Sequence, residues 1–129
     1  MPLRLALFAA FLLLAGPLLA GSAQAQINPF KGRNGAPRLA DSDVALLDQS
    51  AQKLLVDPAP SPGATEIWQN DATGAGGTVA YLGPSNRTVQ GTKYACRRLK
   101  YVVTLKDRPT PRSLRAAWCH LPDGTWKLN

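Results

Sequence analysis

Residues 94–121, YACRRLKYVVTLKDRPTPRSLRAAWCHL, decide the fold of this chain. From Tyr94 to Leu105, large apolar residues alternate with polar or small ones, which predicts a long β-strand with one buried face. The alternation resumes from Leu114 to Leu121, and the intervening run DRPTP is typical of a chain reversal. The sequence therefore predicts an antiparallel β-hairpin folded about Asp107 and Arg108.

The residues ahead of this hairpin predict a helix. Between Ser42 and Val56, apolar side chains recur every three or four residues, as on one stripe of an amphipathic helix. Asp41 or Ser42 can cap its first amides, and Asp57, which precedes a proline, ends it. We expect this helix to cover one face of a sheet.

Shorter alternating runs predict the remaining strands. Residues 66–70 and 78–82 form two of them, and the turn residues 83–86 end the second. Residues 126–128 add a last strand after a Pro-Asp-Gly turn. The predicted fold class is α+β, with one N-terminal amphipathic helix packed on a four- to five-stranded antiparallel meander sheet, over residues 41–129.

The first 25 residues have the composition of an export signal. The apolar run Leu5 to Leu14 is followed by Ala23-Gln24-Ala25, the small-x-small pattern that signal peptidase cleaves. A membrane anchor is the less favoured alternative, because a spanning helix needs roughly 20 apolar residues. We expect residues 1–25 to be removed, residues 26–40 to form a flexible leader, and the mature chain to reach the periplasm without a transmembrane segment.

The two cysteines fit the predicted hairpin. Facing residues in a hairpin about Asp107 and Arg108 have numbers that add up to about 215, and Cys96 and Cys119 meet this condition. An even number of thiols in an exported chain favours a structural disulfide over a metal or redox site. Closing this loop is expected to stabilise the fold by roughly 3 kcal/mol.

Charge is distributed unevenly along the chain. Residues 26–85 carry four cations and six anions, a net charge of −2, whereas residues 86–129 carry ten cations and two anions, a net charge of +8. Because an exported protein does not meet nucleic acid as its ordinary partner, we expect an unknown protein or an anionic envelope component, such as lipopolysaccharide or peptidoglycan. The expected contacts are Arg97, Arg98, Lys100 and Arg115. The alternative is a solvated sheet face that charge merely keeps soluble.

The sequence predicts no catalytic, cofactor or metal site. His120 is the only histidine, and it follows a cysteine predicted to be bonded, so a strand-surface histidine is the favoured interpretation. Asp41 and Asp43 lie where a helix start accounts for them. The run TGAGGT at residues 73–78 lacks the Lys-Ser/Thr that a phosphate-binding loop needs. We expect a protein without enzymatic activity.

Several motifs, taken together, carry a family resemblance. They are Trp68-x-Asn70-x-x-Thr73-Gly74-x-x-Gly77-Thr78-Val79, Cys96-Arg97 and Cys119-x-x-Pro122-Asp123-Gly124-x-Trp126-Lys127. In order and spacing they resemble the C-terminal domain of the bacterial 17 kDa outer-membrane surface antigen family. The resemblance implies a Gram-negative envelope protein with no assigned enzymatic activity, and it agrees with the predicted disulfide. The lipidated cysteine and glycine zipper of many relatives are not found in this sequence.

Two functional hypotheses follow from the sequence. The first is a non-enzymatic envelope domain, periplasmic or associated with the outer membrane, that binds a partner or an anionic envelope component through its sheet. The alternative is a protease inhibitor on a disulfide-stapled scaffold. Titration of proteases with the protein distinguishes the two hypotheses.

Overall fold

The computed structural model describes residues 27–129, so the predicted signal peptide, residues 1–25, lies outside the described residues. The fold is α+β, with one helix and a single five-stranded antiparallel sheet. Neighbours in the sheet follow the order β1-β2-β3-β4-β5. The elements are α1 (Asp41–Leu54), β1 (Thr65–Gln69), β2 (Gly76–Val89), β3 (Thr92–Leu105), β4 (Arg108–His120) and β5 (Trp126–Leu128). Among residues 27–129, no helix is long and apolar enough to cross a membrane.

The central hairpin has the predicted register. Cys96 pairs with Cys119, and the two sulfur atoms form a disulfide with an S–S distance of 2.00 Å. The reversal is tighter than predicted, because Leu105 already pairs with Arg108 after a register shift beyond Val103. The register shift compensates for the shorter turn, so Cys96 still lies opposite Cys119. The predicted disulfide is confirmed.

β4 therefore begins earlier than the sequence predicts, since Pro109 and Pro111 lie inside it rather than in the turn. A proline is tolerated in a strand whose free edge needs no N–H donor. β5 pairs only with the far end of β4, from Trp118 to His120, so both prolines lie on such an edge.

The predicted break at residues 83–86 is wrong, because β2 continues through it. The register shifts between Tyr81 and Gly83, and Gly83 has a φ of +124°. A β-bulge of this kind absorbs one extra residue without ending the strand. Pairing with β1 stops at Ala80, so Pro84 again lies on a free edge.

The core lies between α1 and one face of the sheet. Leu47, Ala51 and Leu54 of α1 share a buried cluster with strand residues that include Tyr101 and Trp118. The indole N–H of Trp118 donates a hydrogen bond to the Tyr101 hydroxyl at 2.6 Å. This face confirms the alternation predicted for the central hairpin.

The helix begins with a cap that the sequence analysis did not predict. Ala40, rather than Asp41 or Ser42, is the N-cap residue, and its amide donates to the carboxylate of Asp43 at 2.9 Å. An acidic residue in the first turn, such as Asp43, also interacts favourably with the helix dipole. In the structure its side chain makes the reciprocal half of a capping box, accepting from the amide of the N-cap residue, while alanine offers no side-chain acceptor to the first amides of the helix.

Part of the segment predicted as a flexible leader, residues 26–40, contacts the core. Phe30 is buried in the core and makes an edge-on contact with Tyr101, with ring centroids 6.4 Å apart. Ile27, Ala36 and Leu39 are half-buried against the same cluster. The packed unit of the described chain therefore starts before Asp41.

Beyond the pairing of Cys96 with Cys119, β2 and β3 continue as a two-stranded ribbon, residues 85–95, which we call the arm. Its turn residues, Gln90 and Gly91, have φ values of +49° and +80°. Two consecutive residues with positive φ are what a tight hairpin turn requires. Most of the arm is exposed to solvent.

Candidate functional site: the outer face of the sheet

The sheet face opposite α1, which we call the outer face, is the candidate site. Cross-strand pairing places on this face the row Ile67, Thr78, Val102 and Ser113 and the row Thr65, Ala80, Lys100 and Arg115. Arg98 and Lys127 lie on the same face, opposite Ala117 and Cys119. Ile67 is 79% exposed, so the outer face combines apolar and cationic side chains in contact with solvent.

The cations are concentrated in the strands that form this face. The segments β2, β3, β4 and β5 contain nine Lys or Arg residues and no Asp or Glu. They are Arg87, Lys93, Arg97, Arg98, Lys100, Arg108, Arg112, Arg115 and Lys127. Within residues 27–129, the only ion pair made by any of them is that of Arg97 with Asp57.

Three of the predicted contact residues form one cluster. Lys100 lies directly opposite Arg115, and Arg98 is two residues along the same strand on the same face. Arg98 and Arg115 line a shallow depression of about 230 Å³, and Arg98 donates a long hydrogen bond of 3.4 Å to the Leu82 carbonyl. Like charges directly opposite each other in a sheet are destabilising. We call Arg98, Lys100 and Arg115 the cation cluster.

Arg97, the fourth predicted contact residue, does not join the cluster. It lies on the opposite face of β3 and is buried, 7% exposed. Its guanidinium donates to the carbonyl oxygens of Leu54 and Val56 at 3.1 and 2.7 Å and contacts the Asp57 carboxylate. It also lies 4.7 Å from the ring centroid of Trp126. Arg97 therefore ties the end of α1 to the sheet and is unable to reach a ligand on the outer face.

Alternate residues of β3 lie on opposite faces of the sheet, and this alternation distinguishes Arg97 from its neighbour Arg98. Arg97 has the same parity as Leu99 and Tyr101, which the sequence already places on the buried face, whereas Arg98 shares the parity of Lys100. A buried arginine at such a position is stable only with hydrogen-bonding partners. The carbonyls at the end of α1 supply them.

Another groove, of about 760 Å³, lies at the start of α1 and not on the outer face. Its buried charged group is Asp43, which is 2% exposed. The carboxylate accepts hydrogen bonds from Asn70 Nδ2 at 2.7 Å, from Thr73 Oγ1 at 2.6 Å and from the Ala40 amide. Because its oxygens are engaged, Asp43 joins the helix start to the loop between β1 and β2, as a structural group.

The remaining polar candidates have structural surroundings as well. His120 lies exposed at the end of β4, and its ring centroid is 4.7 Å from that of Trp126. The run TGAGGT at residues 73–78 includes Gly77 of β2, where a β-carbon would overlap the Val102 carbonyl. Among residues 27–129, no group of three or more His, Cys, Asp or Glu side chains is placed to hold a metal ion.

The outer face extends onto the arm in a way that sequence analysis missed. Arg87 pairs with Tyr94, and Tyr94 shares the parity and the face of Cys96. Lys127 faces Cys119 from β5. The pairing of Cys96 with Cys119 is the sequence signal that points to this extension of the face. Two residues further along β3 the same face carries Tyr94, whose partner on β2 is Arg87, close to the disulfide.

No family model, curated protein or solved structure matches this chain.

Proposed function

We propose that this protein is a non-enzymatic, exported envelope domain that binds an anionic envelope component through the cation cluster on its outer face. The phosphates of lipopolysaccharide and the carboxylates of peptidoglycan offer the same ligand chemistry, namely repeated anions on an extended surface. The predicted export signal and the motifs that resemble the surface antigen family are the basis for proposing a periplasmic or outer-membrane-associated site of action. The helix packed on a meander serves as the scaffold.

The observation that carries the proposal is that Lys100 faces Arg115, with Arg98 beside them and no Asp or Glu in β2, β3, β4 or β5. A pair of facing like charges costs the free protein stability, and a bound anion removes that cost. A face that charge merely kept soluble would intersperse both signs and so avoid the repulsion. The arrangement therefore favours a surface adapted to an anionic ligand.

The geometry of the face fits an extended ligand better than a small one. The three cations lie on two neighbouring strands, and only Arg98 and Arg115 line a depression, which has a volume of about 230 Å³. Pockets for small molecules occupy about 300–1,000 Å³ and enclose most of the ligand. An open, flat cationic face binds instead through the summed attraction to several anions, which salt weakens.

The test is retention of residues 26–129 on purified peptidoglycan sacculi and, separately, on lipopolysaccharide vesicles, at low and at high salt. We expect retention that salt abolishes on one of these two surfaces, and its loss in the triple variant Arg98→Gln/Lys100→Gln/Arg115→Gln. The two surfaces distinguish carboxylates from phosphates as the source of the anions.

The matched control is the triple variant Lys93→Gln/Arg108→Gln/Arg112→Gln. These residues lie in the same two strands, are exposed and face the other side of the sheet, so the net charge changes equally. The control is expected to stay bound. Equal loss in both triple variants, or retention that salt does not change, contradicts the proposal. Protease inhibition stays a separate hypothesis, tested by titrating proteases with the protein.

A further inference from the structure

A groove of about 290 Å³ lies on the outer face, between the arm and β5. The buried and half-buried part of its lining consists of Cys119, Tyr94, Leu121 and Leu128. Its exposed rim includes Arg87 and Val89 on the arm side and Lys127 on the β5 side. The groove thus has an apolar floor and a cation on each of two opposite walls.

A disulfide joins the two strands, β3 and β4, that lie between the two walls. Tyr94 is two residues from Cys96 on β3, while Lys127 faces Cys119 across the β4–β5 pairing. The disulfide joins Cys96 to Cys119 and so connects the strand that carries the arm to the strand that carries β5. A groove whose walls are fixed in this way does not have to be ordered by its ligand.

We propose that this groove binds an anionic lipid, with the anionic group between Arg87 and Lys127 and part of an acyl chain on the apolar floor. Neither cation is engaged in an ion pair within residues 27–129, and no acidic side chain lines the groove. The lining also includes Asn129, the last residue, whose α-carboxylate offsets at most one of the two cations. The charge at the rim therefore complements an anion.

The apolar features indicate a lipid rather than a soluble anion. Val89, at the rim, keeps 42% of its surface exposed beside Arg87. Apolar side chains interspersed with cations on one exposed surface are typical of proteins that bind the interface of anionic membranes. The groove has the volume of about ten water molecules at ~30 Å³ each, which suits a short stretch of acyl chain.

This site is separate from the cation cluster. Its cations come from the arm and from β5, whereas the cluster lies on β3 and β4. The inference goes beyond the proposed function, because it concerns other residues and adds a requirement for an apolar chain. Either of the two sites can fail in experiment while the other stands.

The probe is dodecyl phosphate below its micellar concentration, titrated into residues 26–129 by calorimetry. Dodecyl maltoside supplies the same chain without charge, and inorganic phosphate supplies the charge without the chain. We expect dodecyl phosphate to bind at least about tenfold more tightly than either comparison compound, since only it engages both the rim and the floor. Amide resonances of residues 87–94 are expected to shift in the complex.

Variants locate the site. Arg87→Gln/Lys127→Gln is expected to weaken dodecyl phosphate binding about tenfold or more, because both charge-assisted contacts are lost. The control Lys93→Gln/Arg112→Gln removes the same charge from the other side of the sheet, and the cation-cluster triple variant removes charge from the outer face outside the groove. Both controls are expected to bind dodecyl phosphate with little change.

Four results would overturn the inference. The first three are equal binding of dodecyl maltoside, equal weakening by the Lys93→Gln/Arg112→Gln control, and tighter binding of a short peptide that ends in leucine with a free carboxylate. The third result would assign the groove to a protein terminus. Loss of dodecyl phosphate binding only in the cation-cluster variant would place the lipid on the cluster and also contradict the groove.

Discussion

Replacement of Lys100 by glutamine should make the protein more stable while it weakens binding to an anionic surface. Lys100 faces Arg115 directly, and Arg98 is its neighbour on the same face. With charges about 8 Å apart in water, each repulsion amounts to ~0.5 kcal/mol, so two such neighbours give ~1 kcal/mol at low salt. At physiological ionic strength the Debye length is about 8 Å, and the gain falls to ~0.4 kcal/mol.

Urea unfolding at several salt concentrations measures this effect. The gain of Lys100→Gln should be largest at low salt and vanish near 1 M salt, where the Debye length is about 3 Å. Arg112→Gln is the control, because Arg112 faces Val103 and not a cation. A loss of stability in Lys100→Gln, or a gain that salt does not change, would refute the assumption that these charges repel one another.

Three further predictions concern the groups that hold the scaffold. Asp43→Ala should lower the free energy of unfolding, measured in urea, by ~2–4 kcal/mol, because it leaves buried donors without an acceptor. The control Asp41→Ala, at an exposed position, should change it by less than ~1 kcal/mol. Arg97→Met should cost ~2–3 kcal/mol through the lost bonds to the end of α1, and Arg98→Met much less, with thermal unfolding as the readout. Burial raises the pKa of Asp48 in the folded state above its value in the unfolded state, so the free energy of unfolding falls as the pH rises between those two values. Asp48→Asn should therefore stabilise the protein at pH 7 and have no effect below pH ~3, as measured by unfolding at both pH values.

The disulfide and the alternating faces of the central hairpin were predictable because they depend on local rules. Period-two alternation assigns Tyr101 and Trp118 to the core, and the same register brings Cys96 opposite Cys119. A bulge shifted the turn by a residue or two without changing this pairing, since the shift lies beyond Val103.

The elements that were missed depend on contacts between residues distant in sequence. Phe30 lies in a Gly- and Pro-rich segment without periodicity, and only the core it enters explains its burial. Pro109 and Pro111 are typical of a turn. The sequence does not reveal that β5 is too short to cover the edge of β4 on which both prolines lie. Arg97 was placed among the surface cations by its charge, although its parity places it against α1.

The candidate site was predictable only in part, because some of its residues follow from strand alternation and others depend on contacts between distant residues. Arg98, Lys100 and Arg115 follow from strand parity, whereas the groove between the arm and β5 depends on the length of the arm. The turn residues 83–86 predict the end of β2, whereas in the structure the strand continues through a bulge at Gly83. That bulge is what extends β2 far enough to bring Arg87 beside Tyr94.

The most direct measurement is a resonance-perturbation map of ¹⁵N-labelled residues 26–129, titrated with lipopolysaccharide and with soluble peptidoglycan fragments. We predict salt-sensitive shifts at residues 98–102 and 113–117 for one of the two ligands, with residues of α1 unaffected. Shifts confined to α1 or to the groove at its start, or no shift with either ligand, would contradict the assignment of the outer face as the binding surface.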